Sequence, residues 1–334
     1  MTAVMKRILI LVWFIAPLGS FAQQIPQYSQ YLRNQFMINP AAAGVYDFID
    51  ITLSGRWQWL GFDDSPRTAY LSGCTVLGKR STPKYNPAFR TSGGPVRNPE
   101  IKTGKLKHAV GGQLLADQYG AFRRINVSGT YAIHVPVSKK YNISFGTKLG
   151  LSNNTFLKEK AVVLNTTDPF QSYAGGDTEY DGYVADQSSK MIMDIGAGFY
   201  FYSNDLFFGI NTDHLSKDFV EFGAGTANFN TQMHYNITGG YKIPVNEDFT
   251  LMPALLLKYM KPAPVSLEGS VQVEYKEWLW TGVSYRHTDA IAGMFGLNLN
   301  EMFKFGYSYD FSLSRFNDVS SGSHEIVLGI MLGR

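Results

Sequence analysis

From about residue 48 onward, apolar and polar side chains alternate one by one. Phe303, Phe305, Tyr307, Tyr309 and Phe311 interleave with Lys304, Gly306, Ser308 and Asp310. Tyr141, Ile143, Phe145, Leu149 and Leu151 interleave with Asn142, Ser144, Gly146, Lys148 and Gly150. The same period of two runs through Ile125–Val135 and Met233–Ile243. A period of two is the signature of a β-strand with two unlike faces. The spacing predicts fourteen strands near 48–57, 68–77, 107–117, 122–137, 141–154, 191–203, 206–214, 228–243, 249–260, 265–275, 278–287, 291–298, 303–311 and 324–332. They run about ten residues, longer than the mode of roughly five to six in globular sheets.

The second face of these strands is small or polar and repeatedly charged. It carries Asp50, Arg56, Asp194, Lys242, Glu268, Glu274, Arg286, Lys304 and Asp310. A soluble sandwich keeps its polar face outside. A membrane barrel turns apolar side chains to lipid and polar ones to the lumen. Strand length and aromatic-rich apolar faces favour a transmembrane antiparallel β-barrel, with these nine charges in the lumen. Turns alternate in length, as in outer-membrane barrels: short at 138–140, 204–205, 246–248, 276–277 and 300–301, longer at 156–190, 215–227 and 312–323. The stretch 78–106 breaks the pattern, being long yet on the short-turn side. Either it is a periplasmic insertion or the count is off by a hairpin there.

Composition agrees. Charged residues are 17% and aromatics 14% of 334 residues, against roughly 25% charged in soluble domains. Low charge with many aromatics argues against disorder. The lone Cys74 excludes an internal disulfide framework, and a net charge of +3 gives no nucleic-acid footprint. The N-terminus reads as a secretory signal: Lys6 and Arg7, an apolar run Ile8–Pro17, then Ser20-Phe21-Ala22. The expected organisation is a signal peptide over 1–22, a periplasmic or lumenal segment over 23–46 and the barrel over 47–334.

Two segments resemble a known family. Gln27-Tyr28-Ser29-Gln30-Tyr31 is followed by Ile38-Asn39-Pro40-Ala41-Ala42-Ala43-Gly44. The first strand then leads into Arg56-Trp57-Gln58-Trp59-Leu60-Gly61-Phe62-Asp63-Asp64-Ser65-Pro66-Arg67-Thr68. Motifs and their order resemble the PorP/SprF family of the Bacteroidetes type IX secretion system, and Asp117 and Gly120 fit a further family hairpin. The long 78–106 stretch and a C-terminus without a terminal aromatic depart from the pattern. The resemblance implies an outer-membrane protein that works in secretion or surface attachment of large partners with a C-terminal targeting domain, gliding adhesins among them. It also implies contact with other secretion-system components.

The residues themselves leave several roles open. Asn39-Pro40 before a run of small residues marks a turn with close packing, or an element that gates the barrel. Trp57 fits an aromatic belt. Trp59, Phe62, Asp63, Asp64 and Arg67 on the first outer loop are candidate partner contacts, since aromatics and Arg dominate binding hot spots. An alternative is that Arg67 pairs with a carboxylate and orders the loop. Asp213-His214 and Asp63-Asp64 prompt a check for hydrolytic chemistry, but adjacent aspartates point to opposite faces of a strand. No nucleophile elbow or phosphate loop occurs, and the six histidines lack ligand spacing. We therefore expect no catalysis, metal or cofactor. Two other functions compete with partner binding: a channel for small or hydrophobic solutes, and a machine part contacting periplasmic components.

Overall fold

The computed structural model describes residues 27–61, 64–78, 105–161, 189–216, 221–222, 232–261, 263–276, 278–299, 302–313 and 320–333. The signal-like segment lies outside these residues. Fourteen antiparallel strands close into a barrel. They are β1 (Ile49–Trp57), β2 (Arg67–Leu77), β3 (Lys107–Tyr119), β4 (Phe122–Pro136), β5 (Asn142–Phe156), β6 (Ser189–Tyr202) and β7 (Leu206–Asp213). The second half comprises β8 (His234–Tyr241), β9 (Phe249–Met260), β10 (Ser266–Tyr275), β11 (Leu279–Arg286), β12 (Ala290–Leu299), β13 (Phe303–Ser312) and β14 (Ser323–Leu332). Each strand pairs with its neighbour in sequence, and β1 closes the ring on β14 from Ile49↔Leu332 to Trp57↔His324. Closure leaves no open edge, the condition for a sheet to stand in hydrocarbon.

β2 pairs directly with β3, so among the described residues no barrel strand stands between them, and 78–106 joins the two at the end carrying both barrel termini. Outer-membrane barrels place termini and short turns in the periplasm, so this end is the inner one. Strand β8 begins at His234, six residues later than the alternation predicts. A two-residue strand, Glu221–Phe222, pairs with Met191 and Ile192 beyond the outer end of β7. There β6 and β7 themselves share only Ala197–Tyr202 with Phe207–Thr212.

The alternation sorts by face as expected. Along β1, Thr52, Ser54 and Arg56 are buried inside, while Leu53 and Trp57 are exposed outside. Aromatics mark both rims of the lipid face: Tyr141 stacks on Phe201 and Phe249 tilts against Tyr275 at the inner rim, and Tyr235 stacks on Tyr259 at the outer one. These are the belts that anchor a barrel at two interfaces. The packed core is in the lumen, where Tyr31, Leu32, Ile38, Ala41, Ala42 and Val45 meet Tyr200, Tyr202, Phe207, Met252 and Leu256. Half of that core precedes the first strand.

Candidate functional site

The segment from Gln27 to Phe48 lies inside the barrel. It is built from three single-turn 3-10 helices, Tyr31–Arg33, Gln35–Met37 and Pro40–Ala42. The third starts by standard capping: Asn39 Oδ1 accepts the Ala41 N–H at 2.9 Å and Pro40 takes the first position. The chain descends from the outer half of the lumen at Ser29 to the inner rim at Asp47. Along the way it bonds Ser72, Ser270, Gln113, His134 and Lys107 on four different strands. Residues 27–48, the described part of this segment, pack against the lumenal faces of the strands.

Its outer end is tied by charge. Glu325 accepts the backbone N–H of Ser29 at 2.9 Å and of Gln30 at 3.3 Å. The Ser29 hydroxyl donates to Asp310 at 2.7–2.8 Å. Arg56, 4% exposed, bridges Asp310 at 2.8 Å and Glu325, 0% exposed, at 3.3 Å. Arg286 continues the network to Glu268 at 3.0 Å, Asp289 at 2.9 Å and Asp310 at 3.5 Å. Burying carboxylates requires pairing and hydrogen bonds. Here two arginines face three buried carboxylates, and the Ser29 and Gln30 donors add hydrogen bonds to two of them, Asp310 and Glu325.

Its inner end is tied by shape. Asn39, Pro40 and Ala41 lie against Gly146, Gly198 and Gly209 on β5, β6 and β7, where a Cβ would meet plug atoms at every one of the three. Asn39 Nδ2 donates to the Phe199 carbonyl at 3.0 Å. Ala41 and Ala43 are 0% exposed. Gly44, at φ +76°, turns the chain away at a position where a side chain would strike Ala109. His134 locks this turn: its Nε2 donates to the Ala43 carbonyl and its Nδ1 accepts from the Tyr202 hydroxyl, both at 2.7 Å. The motif residues Gln27, Tyr28, Gln30, Tyr31, Asn39, Pro40 and Gly44 thus all belong to the plug.

The nine predicted lumenal charges face inward or line the inner mouth, and most are paired. Besides the outer network, Arg33 bridges Glu274 at 3.0 Å while lying 4.3 Å over the Trp280 ring, and Lys304 bridges Asp50 at 2.6 Å. Lys242 lines a cavity of about 140 Å³ at the inner mouth with Asp205 and Tyr46. Asp194 belongs to a second network, on β4 to β8. Its Oδ1 lies 2.7 Å from His214 Nδ1, Arg124 donates to His214 Nε2 at 3.0 Å, and Asn126 donates to Asp194 Oδ2 at 2.8 Å. Asp213 binds Lys148 instead of its sequence neighbour His214. Each nitrogen of His214 thus has a charged neighbour, Asp194 on one side and Arg124 on the other. A cavity of about 80 Å³ separates this network from Tyr28, Met37 and Ile38 of the plug, and beside it Lys258 donates to Gln27 at 2.9 Å.

The first outer loop divides. Trp59 is 6% exposed, at φ +53°, with its N–H donated to Ser323; it packs the loop from within and is closed to a partner in this state. Asp64 is exposed and bridges Lys160 at 2.6 Å. Arg67 opens β2 on the outer, lipid-facing side opposite Trp57. Phe62 and Asp63 lie outside the described residues. The sequence reading missed Ser29, Glu325 and His134 as plug contacts. Only the inward parity of Glu325 and His134 signalled them.

Over residues 20–330 the sequence matches the family described as type IX secretion system membrane protein PorP/SprF. The chain belongs to that family. It is therefore a secretion-system membrane protein, and the outer membrane is its location. Against curated proteins the sequence has no significant match. Among solved structures, the toluene transporter TodX of Pseudomonas putida is similar at 9% identity, covering 90% of this chain and 94% of that one, with a TM-score of 0.50. A TodX deletion mutant is similar at 10% identity, 90% and 94% coverage and a TM-score of 0.50. CymD, a monoaromatic hydrocarbon channel, follows at 12% identity, 89% and 91% coverage and a TM-score of 0.49. At such identities the TodX likeness shows the shared barrel fold of this PorP/SprF member and nothing of what it carries.

Proposed function

We propose that this barrel holds an exported partner protein by its C-terminal type IX targeting domain, assisting its secretion or anchoring it at the cell surface. Family membership supports the type IX setting. The observation that carries the reading is the filled lumen: the chain's own plug occupies the space a solute would use, braced by buried ion pairs at one end and a glycine seat at the other. The partner then docks on the outer loops and mouth, with Phe62, Asp63 and Asp64 as contacts and the buried Trp59 holding the loop that presents them. Other secretion components meet the inner end, where 78–106 emerges. The reading calls for no catalytic step, metal or cofactor.

The test is gentle detergent purification of the tagged protein from its native membrane, with mass spectrometry of what accompanies it. The expected result is a secreted protein with a type IX C-terminal domain in near-equal amount, reduced severalfold by Phe62→Ala with Asp64→Ala. A lone barrel at every growth phase, conducting in planar bilayers, contradicts the reading and makes it a solute channel.

A further inference from the structure

Charged side chains on the fourteen barrel strands turn inward, with two exceptions. Arg67 and Arg123 are exposed on the lipid side. Cross-strand pairing fixes their place. Trp57 faces lipid, since Arg56 beside it faces the lumen, and paired residues share a face. Trp57 pairs with Arg67, Arg67 with Gln118, and Gln118 with Arg123. On the other side Trp57 pairs with His324, and His324 with Tyr309. One polar row therefore crosses β13, β14, β1, β2, β3 and β4 at the outer rim. Elsewhere at that rim the lipid faces of the strands carry Tyr235, Tyr259, Tyr285, Ile291 and Phe311, with no charge on the strands among the described residues; Lys261 is exposed just past the end of β9.

The two arginines stand two strands apart, about 10 Å at the usual strand spacing. Among the described residues neither makes an ion pair. Two guanidinium forks at that spacing, with the Gln118 amide between them, match an anionic headgroup, because guanidinium binds phosphate oxygens in pairs. Directly below the row the lipid face becomes small: Gly55 pairs with Ala69, and Ala69 with Ala116. The Trp57 ring folds down over Gly55, where a Cβ would stand 3.1 Å from its Cη2. Ile125, opposite Ala116, forms the other wall. Lower still, Leu53, Leu71, Leu114 and Val127 make an apolar floor. A cationic clasp at headgroup height thus sits over a shallow acyl-sized channel. A general belt needs only tryptophan and tyrosine; it explains neither the paired charge on one side of the barrel nor the channel beneath it.

We propose that Arg67 and Arg123 clasp the phosphate of one phosphorylated glycolipid of the outer leaflet, its acyl chain lying over Ala69 and Ala116 between Trp57 and Ile125. The site sits on β2 to β4 at the root of the loop assigned to partner contact, but it stands whether or not a partner docks there.

The test titrates the detergent-purified full chain with monophosphoryl lipid A and with the same glycolipid stripped of phosphate, read by native mass spectrometry. The expected result is a saturable one-to-one adduct with the phosphorylated lipid, at least tenfold tighter than with the stripped one. Arg67→Gln with Arg123→Gln brings the two lipids within twofold while the barrel keeps its heat-modifiable gel mobility. Ala116→Leu weakens the phosphorylated adduct severalfold by filling the channel. Lys139→Gln with Lys140→Gln removes equal charge at the opposite rim and changes nothing. Adducts that never saturate, or that survive the double arginine change, overturn the proposal.

Discussion

The two ends of the plug are held by opposite physics. At the outer end, plug donors bond carboxylates that belong to the wall: Ser29 and Gln30 join a network of Arg56, Arg286, Asp310, Glu325 and Glu268 that spans five strands. At the inner end almost nothing is charged at the contact. Plug atoms rest directly on bare wall backbone, because Gly146, Gly198 and Gly209 leave room for Asn39, Pro40 and Ala41. A polar latch can exchange its partners for water or for another chain's donors. A steric seat admits one shape. The outer end is accordingly the end whose contacts can be exchanged, and the inner end the one that fixes the register of the plug.

Substitutions can break the two halves separately. The largest effect belongs to Arg56→Ala. It leaves Asp310 and Glu325 short of a buried partner, at about 3–5 kcal/mol for breaking a buried pair. Denaturant unfolding in lipid should show a loss of that size, with residues 27–31 becoming open to protease. Gly146→Val attacks the seat instead. Overpacking costs about 1–3 kcal/mol, and limited proteolysis should cut within 38–44 while the latch contacts persist. Ser29→Ala removes one hydroxyl bonded to a carboxylate, worth about 1.5 kcal/mol; unfolding should shift by that amount without unseating residues 38–44. Lys160→Ala breaks only the partly exposed pair with Asp64, within about 1 kcal/mol, and leaves plug protection as it was. If Arg56→Ala and Gly146→Val release the same stretch together, latch and seat are one unit and the distinction fails.

Much of the fold was legible from alternation alone. Period two gave the strand count and put Asp50, Arg56, Asp194, Glu268, Arg286 and Asp310 on the inner face, because parity decides face without any long-range information. Pairing was not legible. His214 binds Asp194 on β6, not Asp213 beside it, since strand register and barrel stagger, invisible in a local window, decide which inward residues reach one another. The plug was visible only as a family motif. Its short 3-10 turns carry no periodicity, and its partners are scattered from Ser72 to Glu325. Trp59 read as an exposed hot spot because loop aromatics usually are; a left-handed backbone turns it inward instead. Arg67 read as a loop contact until the register placed it beside Trp57 on the lipid side.

The filled lumen is the central claim, and Cys74 offers a direct probe of it. It is the single cysteine of the chain, on the inner half of β2, packed against the cluster of Phe36, Ala43, Ala109 and Ala132. The measurement is the rate at which a bulky maleimide labels Cys74 in isolated outer membranes, in the unaltered protein and in Gly146→Val. A seated plug predicts slow labelling that rises at least tenfold when the seat is filled by valine. Fast labelling in the unaltered protein, unchanged by Gly146→Val, would contradict a plugged barrel.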